Sequence, residues 1–435
     1  GELVELRRRS YKLLNSEETA RCATQASPRS LDIAQNPIVR LEMSLEEIEK
    51  AGYAHFMLKE IMDQPNALRN ALRGRLYLSN GGEGNGDAWK LKLGGLEKVL
   101  EEEGNGGRSP LQRMTAANRM IICACGTSFH SGMIAKYAME HLARLPVEVE
   151  YASEFRYRRP LISPEDVVVA VSQSGETADT LEAINIAKAS KALTLGVVNV
   201  VGSSIARATD AGVYLHAGPE IGVASTKAFT CQVLALLMIV LQLALQRGFL
   251  SDEEFNSYCG ALNEVPTLIE NWLEPLSKQI RVIAKHFRLA TNALFCGTGI
   301  HFPVALEGAL KLKEISYIHA EGFTASEMRH GPLTLVRSFI PVVCVAMRSD
   351  PAYEQVKANI QEFRAKNAAL LVVTDEGNTE FDRIASFVVH CPSTKLEFEP
   401  VTAVVPLQLL AYYIADMRGC SIDQPRNLAK SVTVE

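Results

Sequence analysis

The chain has 435 residues, 47% of them hydrophobic and 22% charged, with a formal net charge of −5. That length exceeds one ordinary core, so two domains are expected, and the composition is that of a globular protein rather than a disordered or fibrous one. The charge supplies no basic field, which argues against nucleic acid as main partner; the nine cysteines include no C-x-x-C pair, so neither a disulfide framework nor a zinc site is indicated and a reducing, cytoplasmic setting is expected.

Residues 1–42 are mixed and polar, with little periodicity. MSLEEIEKAGYAHFMLKEIMDQPNALRNALR (43–73) reads as helix, break and further helix, with Ser44 as N-cap ahead of Glu46 and Glu47. The Gly-rich NGGEGNGDA (80–88) and GNGGRSP (104–110) flank WKLKLGGLEKVLEEE, expected as a short helix within a surface insertion.

From residue 120 the chain alternates β-branched runs with helical stretches: MIICA, helix, VEVEY, VVVAV, helix, LTLGVVNV, GVYLHA, then VLALLMIVLQLAL at 233–245. Strands alternating with helices predict parallel, doubly wound α/β sheets with right-handed crossovers. The apolar run is too short to cross a bilayer and is interrupted nearby by Gln232 and Gln242, so a helix buried within a domain is expected and no membrane contact. The pattern then repeats. NALFCGTG (292–299) echoes IICACGTS (121–128), and ASEM (325–328) echoes ASEF (152–155), in the same order and at nearly the same spacing. This predicts an internal duplication of one α/β domain.

In a doubly wound sheet, ligands collect beyond the carboxyl ends of strands, where helix N-termini favour anions. SQSGET (172–177) follows the run VVVAV and offers Ser172, Gln173, Ser174 and Thr177, with Gly175 permitting a close backbone turn; CGTS (125–128) adds Thr127 and Ser128 in the same setting. Ser and Thr cap helices in most proteins, but two such loops at one sheet edge point to a small phosphorylated metabolite. Neither a P-loop nor a G-x-G-x-x-G motif is present, so a nucleotide triphosphate or dinucleotide is not suggested.

In EGALKLKEISYIHAEG (307–322), Lys311 and Glu314 share one helix face, with Glu307 close to it. Such pairs are commonly solvated, but Ala309, Leu310, Leu312 and Ile315 predict a partly buried helix, and buried charges need a reason. His330 lies in a turn fixed by Gly331 and Pro332, where a histidine can act as general acid or base. No metal-ligand spacing occurs among the histidines, and neither metal nor cofactor is expected.

CGTS, SQSGET, GVASTK (222–227), EGALKLKEISYIHAE, HGPL (330–333) and DQPRNLAKSVTVE (423–435) together resemble the isomerising glutamine–fructose-6-phosphate aminotransferases, which make glucosamine 6-phosphate; HFMLKEIMDQP (55–65) looks like that family's lead-in helix. The resemblance runs from about residue 40 to the end and implies two tandem sugar isomerase (SIS) domains, at 116–250 and 251–420, after a remnant and linker at 1–42 and a lead-in at 43–115, and followed by a catalytic tail at 421–435. It implies that Ser172, Gln173, Ser174 and Thr177, helped by Ser128, hold the phosphate of fructose 6-phosphate, with Thr127 and Ser225 facing the sugar. Lys430 would form a Schiff base with the sugar carbonyl. Glu314, assisted by Lys311, would move the proton between C1 and C2. His330 would help open the ring, reaching across the interface of a homodimer.

Family members begin with a glutaminase domain that delivers ammonia. Here Cys22, in ETARCATQAS, has no nucleophile signature around it, and the opening GELVELRRRSYKLL looks like the last strand of such a domain. The chain is therefore expected to be a C-terminal piece of a longer enzyme, without glutaminase activity, acting in UDP-N-acetylglucosamine synthesis. The competing readings are a non-catalytic hexosamine-phosphate sensor and a sugar-phosphate isomerase that never used ammonia.

Overall fold

The computed structural model describes residues 3–7, 10–14, 49–79, 88–98, 107–338 and 340–433, in two units divided between Glu49 and Lys50. In the first unit, strands β1 (Leu3–Arg7) and β2 (Ser10–Leu14) pair antiparallel, so the opening segment holds two strands where one was expected. Ser44 and Cys22 lie outside the described residues.

The second unit opens with helices α1 (Phe56–Met62) and α2 (Gln64–Leu72), interrupted at Asp63. Pro65 sits in the first turn of α2, where its missing N–H costs nothing but its ring restricts the residue before it. The stretch from Trp89 differs from expectation. Ala88–Leu91 is strand β4, antiparallel to β3 (Leu76–Ser79), and only Gly94–Glu97 (α3) is helical. The reason is visible: Lys90 and Lys92 are exposed while Leu91 and Leu93 are buried, a period of two that fits a strand. A capping box between Ser109 and Gln112 starts α4 (Pro110–Ala116).

Two five-stranded parallel sheets follow. The first takes β5 (Met120–Ala124), β6 (Val147–Tyr151), β7 (Val167–Ser172), β8 (Leu193–Val198) and β9 (Ala211–Tyr214) in the order β6-β5-β7-β8-β9. The second takes β10 (Asn292–Gly297), β11 (His319–Thr324), β12 (Pro341–Val345), β13 (Ala369–Asp375) and β14 (Phe387–Cys391) in the order β11-β10-β12-β13-β14. The two orders are the same, strand for strand, which makes the internal repeat a structural one. β5, β7 and β12 are buried at every position, as continuous apolar runs require when helices cover both faces of a sheet.

Lys227–Gln246 and Glu399–Met417 are long and apolar enough to cross a membrane, yet the most apolar windows of these helices are 94% and 89% buried in the protein. They are core helices, the first as its sequence predicts. A 36-residue helix, Asp252–Phe287, opened by a Ser251–Glu254 capping box, leads from the first sheet to the second.

Candidate active site

In each sheet the strand order reverses between the first and third strands of the repeat, and ligand crevices form at such switch points. At the first switch point, the loop after β5 is CGTS and the loop after β7 is SQSGET. Each opens a 12-residue helix, Thr127–Ala138 and Ala178–Ala189, so two helix N-termini face one crevice. Gly175 has φ +68°, and a Cβ there would meet Ser203 Oγ at 2.0 Å, so only glycine makes this turn. Ser172 Oγ accepts the Gly175 N–H at 2.9 Å, and Ser174 Oγ accepts that of Glu176 at 3.1 Å. Ser128 is buried and accepts a 2.9 Å hydrogen bond from Gln232 of the apolar core helix.

The cavity at this point, about 250 Å³, is lined by Thr127, Ser128, Ser172, Gln173, Ser174, Thr177, Ser225, Lys311, Glu314 and Lys430. These are all but one of the residues to which the family resemblance gives a role. The exception is His330, which is exposed on the short helix Glu327–His330 and lies outside this cavity.

Phe302–Ser316, the helix after β10, reaches across from the second repeat and carries a buried charge network. Lys311 is fully buried, with Nζ 2.6 Å from Glu314 Oε2, 3.4 Å from Glu307 Oε1 and 2.9 Å from Thr127 Oγ1. Thr127 in turn donates to Glu307 at 3.0 Å, so its hydroxyl is engaged on both sides. Burial pulls the Lys311 ammonium down, but Glu307 and Glu314 outweigh it and hold it well above its ordinary value. Burial pushes the Glu307 carboxyl up, and Lys311 and His130 overcome that to keep it low. Lys311 thus sits as a buried cation in contact with both carboxyls.

The tail brings Lys430 to the opposite wall. The Val432 carbonyl accepts the N–H of Ala178 at 3.2 Å, pinning the tail to the start of a pocket helix. Lys430 Nζ donates to Glu220 Oε2 at 2.9 Å and to the Gly222 carbonyl at 2.7 Å. Glu220 also accepts from Ser225 Oγ at 2.7 Å and from the N–H groups of Thr226 and Ala228. Burial works against its charge, but Lys430 and those N–H groups hold the carboxyl well below its usual range.

Two participants were missed in the sequence. Glu220 stands two residues before GVASTK and has the look of a solvated loop carboxylate. His130 hydrogen-bonds Glu307 Oε2 at 2.7 Å. It completes C-G-T-x-x-H, which recurs at Cys296–His301 in the second repeat and was therefore findable.

At the second switch point the same station is filled by charged side chains. His301 is fully buried between Asp350 Oδ2 at 3.3 Å and Glu399 Oε2 at 3.0 Å, and Ser349 Oγ donates to Glu399. Burial disfavours an imidazolium there, but the two carboxylates prevail and raise its affinity for the proton.

The SIS domain family model matches residues 113–242 and 286–417. The chain belongs to the SIS-domain family, as a tandem pair of such domains. It is 48% identical over 401 residues to the glutamine–fructose-6-phosphate aminotransferase (isomerizing) of Chlorobaculum tepidum, covering 92% of this chain and 62% of that protein. It is 46% identical over 398 residues to the enzyme of the same name from Bacteroides thetaiotaomicron, covering 92% and 61%. The chain thus spans less than two thirds of the length of these relatives. Among solved structures, it resembles the C-terminal domain of glucosamine-fructose-6-phosphate aminotransferase from Francisella tularensis, with TM-score 0.76 and 35% identity, covering 86% of this chain and 100% of that one.

Proposed function

We propose that this chain performs the sugar-phosphate half of the glutamine–fructose-6-phosphate aminotransferase reaction, in which fructose 6-phosphate and ammonia give glucosamine 6-phosphate and water. The observation that carries this reading is the convergence of three elements on one cavity: the hydroxyl-rich anion loops, the Lys311–Glu314 pair and the Lys430 amine.

Ser172, Gln173, Ser174, Thr177 and Ser128 bind the phosphate with the aid of the two helix N-termini. Thr127 and Ser225 line the sugar end while locking Glu307 and Glu220 in place. Glu220 and the Gly222 carbonyl hold Lys430 Nζ at 2.9 and 2.7 Å, and once the amine has lost its proton to solvent it adds to C2 with loss of water. Ammonia then displaces Lys430 at C2. Glu314, oriented by Lys311, shuttles the proton between C1 and C2. His330 acts from a second copy in a homodimer, opening the sugar ring in its partner's pocket. Ammonia comes from a glutaminase domain, and the product feeds UDP-N-acetylglucosamine synthesis in the cytoplasm.

The test is product formation from fructose 6-phosphate by this chain, assayed with no nitrogen donor, with ammonium and with glutamine. Glucose 6-phosphate without a donor, or ammonium-dependent glucosamine 6-phosphate, is the expected result. Saturable binding without turnover would refute the catalytic reading in favour of a sensor.

A further inference from the structure

The two oxygens that hold Lys430 Nζ, Glu220 Oε2 and the Gly222 carbonyl, belong to a single turn. That turn is gripped from behind by the lead-in helix α1. Glu60 Oε1 accepts the backbone N–H of Ile221 at 2.5 Å and that of Gly222 at 3.2 Å. Glu60 is 3% exposed, and its Oε2 is buried with no hydrogen-bond partner among the described residues. The fit is close, because a Cβ on Gly222 would lie 2.9 Å from that oxygen. The same helix holds the tail a second way, its Phe56 and Met57 N–H groups donating to Asp423 at 2.9 and 3.0 Å.

We propose that Glu60 is a positioning residue for Lys430: through Ile221 and Gly222, its carboxyl fixes the turn whose acceptors aim the lysine amine into the sugar-phosphate cavity. The proposal rests on the reading of Lys430 as the imine-forming amine.

The surrounding charges set the form in which Glu60 acts. Glu220 and Lys430 compensate each other across the turn, and Asp63 and Lys227 pair at 2.9 Å beside it. Asp423 is held by the two helix N–H groups with Lys50 at 3.9 Å, while His55 and Tyr412 share a 3.0 Å hydrogen bond on the remaining side. An ionised Glu60 would be an unbalanced charge next to Glu220, so it keeps its proton at neutral pH. Burial first, and then the Glu220 charge, push its carboxyl up to about 8. When Glu60 does ionise, the added negative charge strengthens the hold on the ammonium form of Lys430, which is not nucleophilic.

The experiment traps the imine. The chain is incubated with fructose 6-phosphate and borohydride, which delivers hydride to C2 of the C=N bond, and the reduced Lys430 adduct is timed by mass. Glu60→Asp, one methylene too short to reach both N–H groups, should slow trapping by roughly 10–100-fold. Glu60→Gln, which keeps the accepting oxygen, should restore it to within about threefold of wild type. Affinity for fructose 6-phosphate should stay the same in both, because the phosphate loops are untouched. The ratio of Glu60→Gln to wild-type rate should climb between pH 7 and 9. Trapping by Glu60→Asp at the wild-type rate overturns the proposal. Should that variant fail to fold, a pH ratio that stays flat overturns it instead. No adduct on the wild-type chain would refute the imine reading itself, and the proposal would fall with it.

Discussion

Lys430 Nζ and Glu220 Oε2 meet at 2.9 Å across 210 residues of sequence. The side chain of Glu220 has no exposure to solvent, whereas that of Lys430 keeps 25%. Glu220 is thus wholly enclosed in the pair, while Lys430 also lines the cavity.

Replacing Lys430 separates these duties. Lys430→Ala strands a buried carboxylate and should lower stability by roughly 1–3 kcal/mol, a figure reduced from the fully buried case because the lysine is partly solvated. Lys430→Arg keeps a cation but cannot form an imine, so it should melt near wild type while yielding no borohydride adduct. An adduct on either variant would place the chemistry on another amine.

Glu314→Gln tests the proton transfer. Lys311 retains Glu307 at 3.4 Å, so folding should be little affected. Turnover should drop by about 10²–10⁴-fold, the usual range for a lost general base. Calorimetry should find fructose 6-phosphate binding nearly unchanged; turnover at the wild-type rate would remove Glu314 from the mechanism.

The loop SQSGET should discriminate for phosphate. Gly175→Ala forces a Cβ onto Ser203 and into a left-handed conformation, so it should abolish competition by inorganic phosphate. Ser172→Ala removes the acceptor for the Gly175 N–H together with one of the hydroxyls assigned to the phosphate, and should weaken phosphate binding by about tenfold. Equal loss of affinity for a non-phosphorylated hexose would show that the loop does not bind the phosphate.

The two buried carboxyls beside the tail predict opposite pH limbs of stability. Glu60 is raised from 4.5 to about 8, so across that interval the folded chain keeps a proton that the unfolded chain releases, and stability falls as pH rises. Glu220 is depressed from 4.5 to about 2, so its contribution is present above 4.5 and is lost as pH falls through that lower interval. Urea midpoints from pH 5 to 8 should therefore decline for wild type relative to Glu60→Gln. Parallel profiles would mean that Glu60 is not a buried acid.

The anion loops could be read from the sequence because strand, turn and helix cap are local, and their hydroxyls and glycine fall within six residues. The Lys311–Glu314 pair was legible from helical spacing and apolar flanks. Gln232 reads in the sequence as a polar residue beside the apolar run; that it is the buried donor that steadies Ser128 is visible only in the structure. Glu60 and Glu220 left no local mark at all. Their meaning comes from contacts 161 and 210 residues away, and a single glutamate in a helix or loop looks the same whether it is solvated or buried. The strand at Trp89 was a wrong period, with its alternation obscured by the glycines that follow.

On the proposed reading, the repeat also predicts how many sugar phosphates one chain holds. Its two crevices occupy equivalent places in the strand order, but the first is lined by hydroxyls together with Lys311, Glu314 and Lys430, whereas at the second His301 lies buried between two carboxylates. The second copy contributes the helix Phe302–Ser316, and with it Lys311, to the cavity of the first. A titration with sugar phosphate should accordingly saturate at one equivalent per chain. On the proposed reading, separating the two copies should abolish turnover, because the anion loops and the Lys311–Glu314 helix belong to different copies.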